Sequence, residues 1–170
     1  MKIKSISVLF EEARVTFVRF PYVILSAIFA AISLSFNLEQ SDASQEQISV
    51  VLVFMLGVPL FLSISFCLEA NQINTTSKKI MSQMAGAGFL SGYYFFLSKN
   101  DTHNVYIQYA QLSLATHLLV SFAAFLRNSD GEGFWQLNKN IFIRILFSFL
   151  YASVLYFGLI AALYTTSVLF

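Results

Sequence analysis

Five long apolar stretches dominate this chain, and their length and poverty in charge constrain its fold more than any other feature. The first runs from Phe20 to Leu38 and the second from Ile48 to Leu68, neither with a charged side chain; the third, Ile80 to Ser98, is the least apolar. The fourth, Val105 to Leu126, carries one histidine, and the fifth, from Ile141 onward, is interrupted only by Arg144. A helix rises about 1.5 Å per residue and the hydrocarbon layer of a membrane is about 30 Å thick, so roughly 20 apolar residues suffice to cross it. In lipid an unpaired backbone amide costs several kcal/mol, and a helix satisfies every amide locally. The pattern therefore predicts an all-α, polytopic membrane helical bundle with five transmembrane helices, over residues 20–38, 48–68, 80–98, 105–126 and 141–166, forming one membrane domain across residues 20–170.

Composition agrees. The 170 residues are 57% hydrophobic and 11% charged, with 19 Phe, which leaves too few polar side chains to coat a water-facing exterior. A net charge of +1 supplies no basic field for nucleic acid, so the partner this composition implies is the lipid bilayer, with a second copy or another membrane protein as a further possibility. Cys67 is the single cysteine and lies in an apolar run, so it reads as a small buried hydrophobe.

Before the first stretch, Ile3, Ile6, Leu9, Phe10, Ala13 and Phe17 recur at helical spacing while Lys4, Ser7, Glu11 and Arg14 take the other side. Residues 1–19 are thus predicted as a cytoplasmic amphipathic interfacial helix, and Pro21 suits the first turn of the helix that follows. A cleaved leader is disfavoured, because its charged region would be long, would contain Glu11 and Glu12, and would precede four more spans. Lys2, Lys4, Arg14, Arg19, Lys78, Lys79, Arg127, Lys139 and Arg144 all fall on one side of the predicted spans, against Lys99 alone on the other with Glu39, Asp42, Glu46 and Asp101. Positive flanks face the cytoplasm, which puts the amino terminus inside and the carboxyl terminus outside. The chain closes on Tyr164 to Phe170 without a polar tail, which reads as the front of a longer protein or an end held at the outer interface.

Arg19-Phe20-Pro21 opens the first span, Gly57-Val58-Pro59-Leu60-Phe61 lies within the second, and Phe134-Trp135-Gln136-Leu137-Asn138-Lys139 precedes a helix opening near Arg144. Together, in this order, these elements resemble the amino-terminal part of a bacterial membrane family designated domain of unknown function 4153. The resemblance implies a multi-pass protein of the bacterial cytoplasmic (inner) membrane, further membrane helices beyond the matched part, no cofactor, and no catalytic residues to carry over.

Candidate chemistry is sparse. Tyr109, Ser113, His117 and Ser121 recur every four residues and form a polar stripe suited either to a hydrated path or, more simply, to interhelical hydrogen bonds. Gly57 and Pro59 predict a kink in the second helix, because Pro59 leaves a carbonyl unpaired one turn back; this is a hinge in some transporters and ordinary packing elsewhere. Small residues spaced by four, Ala87 with Ser91, Gly88 with Gly92, and Gly158 with Ala162, are predicted helix-packing faces. Arg19, Trp135, Lys139 and Arg144 are predicted interface anchors, and Glu69 is placed to pair with Lys139 or Arg144, or to stand in water. Asn128, Asp130, Glu132 and Gly133 match the start of a calcium loop, but Lys139 occupies the twelfth place where a glutamate is needed, so no metal is expected. No nucleophile, carboxylate pair or phosphate loop appears, so no catalytic residue is assigned. The chain reads as a non-catalytic envelope scaffold or assembly partner; the alternative is a component of a transporter or channel using the polar stripe on the fourth helix, and a lipid-acting enzyme would need a cavity of convergent polar groups near the interface.

Overall fold

Apolar runs bounded by polar, helix-stopping segments give helices, and the regular structure of the described residues is entirely helical. The computed structural model describes residues 6–38, 44–73, 75–99, 103–126 and 131–169. Six helices fill them: α1 (Ile6–Arg19), α2 (Pro21–Leu38), α3 (Gln45–Ala70), α4 (Thr76–Lys99), α5 (His103–Ala123) and α6 (Gly131–Leu169). The chain divides into two compact units at residues 129 and 130, so that α1 to α5 form one and α6 the other.

Local chemistry sets the boundaries. Pro21 begins α2, where a missing amide costs nothing, while the amide of Phe20 still reaches the Thr16 carbonyl at 2.9 Å. Ser44 caps α3 reciprocally with Gln47: its backbone amide donates to Gln47 Oε1 at 2.9 Å and its hydroxyl accepts from the Gln47 amide. The far end of α3 closes on Asn71, whose side-chain amide donates to the Cys67 carbonyl, and Gln72 then turns with φ of 54°, in the left-handed region usually left to glycine. Cys67 is free and half-buried, its sulfur within reach of Asn71 Nδ2.

In the first unit α3 is the central post, and α2, α4 and α5 each pack chiefly against it. Short connections make α2 and α4 antiparallel to α3, and α5 then runs parallel to it. Cross-links mark that register: Asn37 Nδ2 donates to the Gln47 carbonyl, Ser26 Oγ to the Phe54 carbonyl, and Gln83 Nε2 to Ser65 Oγ. Tyr106 and Tyr109 of α5 donate their hydroxyls to Gln45 Oε1 and the Leu52 carbonyl. Two aromatic pairs join α2 to α3, Phe29 with Phe54 and Tyr22 with Phe61, and Phe20, just before α2, meets Phe66. The core holds Val53, Leu56 and Phe61 of α3, Leu90 and Leu97 of α4 and Val105 of α5. Ser49 and Ser63 are buried to 1% exposure or less, and each donates its hydroxyl to a carbonyl of its own helix.

Among the described residues two helices, Gln45–Ala70 and Gly131–Val168, are long and apolar enough to cross a membrane, where the sequence predicts five. The apolar part of α2, Pro21–Asn37, is short. The opening turns of α4 carry Thr76, Ser77, Lys78, Lys79, Ser82 and Gln83, and α5 is diluted by Gln108, Gln111, Ser113 and His117. The last helix also differs from expectation: the segment around Trp135 is not a connection but the first turns of α6, whose 39 residues extend about 58 Å.

Candidate functional site

Polar and small residues were the sequence's candidates, and the structure sorts them by helix face. In α5 the residues turned to α3 are Val105, Tyr109, Leu112, Thr116, Val120 and Ala123, a mixture of three- and four-residue steps. A strict four-residue step instead advances about 40° beyond a full turn, so the series Tyr109, Ser113, His117, Ser121 walks around the helix rather than holding one face. Tyr109 is half-buried and bonded across to the Leu52 carbonyl at 3.1 Å. Ser113 and Ser121 sit at the edge, and His117 is exposed, its Nδ1 2.7 Å from the Ser113 carbonyl one turn back. The four residues are therefore not brought together.

The small-residue faces are corrected more sharply. Ala87, Gly88, Ser91 and Gly92 are exposed, and a methyl added at Gly88 or Gly92 would meet nothing within 4 Å. The face of α4 that meets α3 is Gln83, Gly86, Leu90 and Leu97. A Cβ at Gly86 would lie 2.7 Å from Ile64 Cδ1 and 3.1 Å from Phe61 Cε1, so close approach is needed there. Since Ala85 to Gly88 are small on every face, smallness could not choose among them; the large side chains Leu90 and Leu97 do. Gly158 and Ala162 lie on the exposed surface of α6. Ala87 and Ser91 instead border an open apolar groove of about 500 Å³ between α2, α3 and α4, floored by Phe54 and Val53.

Gly57 has a role the sequence assigned elsewhere. A Cβ there would run into the Ser26 hydroxyl and lie 3.1 Å from Leu90 Cδ1, so α2 and α4 both pass close to α3 at Gly57. The helix continues through Pro59, which is buried in the core. Ser26, 3% exposed and bonded at 2.8 Å to the Phe54 carbonyl, is not singled out by the sequence, where Ser33 and Ser35 share its stretch; the cue is a lone small polar residue in the apolar first half of α2.

The charged end of the first unit holds the most developed polar arrangement. Arg19 meets Glu69 through two nitrogens, Nε to Oε1 at 2.8 Å and Nη2 to Oε2 at 2.6 Å, and its guanidinium lies 4.9 Å from the Phe20 ring centre. Within the first unit, Glu69 thus pairs with Arg19. The hydrogen bonds to Glu69 hold the Arg19 proton more tightly, partial burial works against this, and the opposite charge adds to it. Trp135, Lys139 and Arg144 are exposed on α6. Beneath the pair is a cavity of about 260 Å³, bordered by Glu69 and Ser65 of α3 and by Thr76, Lys79 and Gln83 of α4. Lys79 has no carboxylate partner among the described residues. Gln83 is 7% exposed and its Oε1 has no hydrogen-bond donor; the buried hydroxyl of Tyr93, toward the far end of α4, is likewise unpaired. Among the described residues no group of His, Cys, Asp and Glu is arranged to hold a metal ion.

These features define, among the described residues, an all-helical protein with two membrane-capable helices and a small charged cavity at one end of its first unit. No known protein family, curated protein or solved structure matches the chain.

Proposed function

We propose that the chain is a multi-pass protein of the bacterial cytoplasmic membrane, related to the domain of unknown function 4153 family, whose helical bundle serves as a non-catalytic scaffold or assembly partner. The observation that carries this reading is the outer surface. Phe29, Ile32, Met84, Phe95, Leu114, Leu118 and Phe122 of the first unit are all more than 40% exposed, as are Phe149, Leu155 and Phe157 within α6. Soluble monomers rarely expose apolar patches beyond a few hundred Å², whereas a lipid-facing surface has this character throughout. In that setting α2, α4 and α5 cross the membrane alongside α3 although their own composition is marginal, because several of their polar side chains bond inward or back to their own helices: Ser26, Gln83, Tyr109 and Thr116 each have a protein acceptor.

The scaffold role is favoured over transport by the same bonds. Tyr109 is tied to the α3 backbone and His117 to its own helix, so the series once suited to a path is committed to packing and local bonding. Arg19, Lys78 and Lys79 share one end of the first unit and Glu46 the other, which supports a cytoplasmic amino terminus. Reporter fusions test the arrangement: a periplasm-dependent reporter is expected to be active at Asp42 and silent at Ser129, and the reverse pattern, or activity at both, overturns it.

A further inference from the structure

The geometry points to the cavity under the Arg19–Glu69 pair as a binding site for a monoanionic phosphodiester carrying a hydroxylated head group, the chemistry of a phosphoglycerol lipid. Charge argues first. Arg19 and Lys79 against Glu69 leave the cavity with one unbalanced positive charge, and Thr76 brings to its wall the first turn of α4, whose opening amides have no partner within the helix. A single phosphodiester charge balances this, and a zwitterionic head group does not. The buried amide argues second and independently. Gln83 gives its Nε2 to Ser65 Oγ at 3.2 Å, and Ser65 passes its own proton to the Phe61 carbonyl at 2.8 Å, so that network is complete and Gln83 Oε1 is left without a donor. An unpaired buried acceptor is costly, and a head-group hydroxyl is the kind of donor it lacks. The remaining wall is apolar, from Pro21, Tyr22 and Ile80, which suits the glycerol and first methylenes of a lipid.

The inference rests on the membrane reading only for the source of the ligand. The test is native mass spectrometry of the full chain, purified in micelles containing equal amounts of phosphatidylglycerol and phosphatidylcholine. One retained phosphatidylglycerol is expected, with Lys79→Gln lowering its bound fraction about tenfold, Lys79→Arg restoring it, and Lys78→Gln, one residue away but outside the cavity, leaving it unchanged. Adding soluble glycerophosphoglycerol separates the sources: displacement assigns the site to the soluble diester, retention to the lipid, and either sustains the phosphodiester chemistry. Equal retention of the two lipids, or equal effects of Lys78→Gln and Lys79→Gln, overturns it. Resistance to alkaline extraction from membranes, measured on the same variants, reports the membrane reading separately.

Discussion

At Gly57 the absence of a single carbon decides how two helices meet. The Ser26 hydroxyl occupies the space a side chain would need and donates to the Phe54 carbonyl, so one residue's smallness and the other's hydrogen bond act at the same place. Gly57→Ala is expected to cost about 1–3 kcal/mol, because α2 must shift or Ser26 must abandon its bond. Ser26→Ala in the same chain removes the obstructing oxygen and is expected to recover more than half of that loss, whereas Gly88→Ala and Gly92→Ala, on the open face of α4, change stability by less than about 0.5 kcal/mol. Denaturation midpoints in mixed detergent check the cycle; a loss from Gly57→Ala that Ser26→Ala does not relieve would refute the close approach. Gly57 drew notice in the sequence because it stands beside Pro59, and that neighbour suggested a hinge. The partner that makes it a packing site lies more than thirty residues earlier in the chain, at Ser26, and no local pattern connects the two.

Helix by helix, the elements themselves were legible while their facing was not. The apolar runs locate α2 to α5 closely, since the 3.6-residue period and the runs' lengths leave little freedom, whereas α6 begins well before its apolar run, at Gly131; the Ser44–Gln47 capping box marks the start of α3. Facing is a different matter for helices whose outer and inner sides are both apolar, because burial no longer correlates with hydrophobicity. That is why α4 was turned toward Ala87 and Gly88 instead of Gly86 and Leu90. Charge pairing between elements was hidden for the same reason as Ser26: Arg19 and Glu69 are fifty positions apart in sequence. With side chains 55% and 42% exposed, their pair is worth about 0.2–1 kcal/mol and is screened by salt. Arg19→Glu is expected to lower the denaturation midpoint at low salt and the exchange Arg19→Glu with Glu69→Arg to restore it, the difference shrinking in high salt; a double variant as unstable as the single one refutes the pairing. Because the folded chain raises the Arg19 pKa, its contribution is complete at every pH below the unfolded value and fades only as pH climbs through the folded one. Between about pH 6 and 10 the guanidinium therefore adds no pH dependence of its own.

For the molecule as a whole, the solvent is what the proposed function depends on. Single cysteines at Leu118 and Met84, in a background where Cys67 is replaced by serine, face outward from the first unit. In intact membranes they are expected to resist water-soluble thiol reagents and to react once the chain is in denaturing detergent, with Ser113→Cys and Ser121→Cys behaving alike. Rapid labelling at positions 113 and 121 alone would restore the transport reading, and rapid labelling at all four would remove the chain from lipid altogether.

The central placement of α3 carries a mechanical corollary. Because its three neighbours lean on one shared post more than on each other, pulling α2 away strips its two aromatic clasps yet leaves the seats of α4 and α5 intact. Pulled from the amino terminus, the first unit is thus expected to release α2 in a small step and then to resist most at α3, whose departure unseats α4 and α5 together.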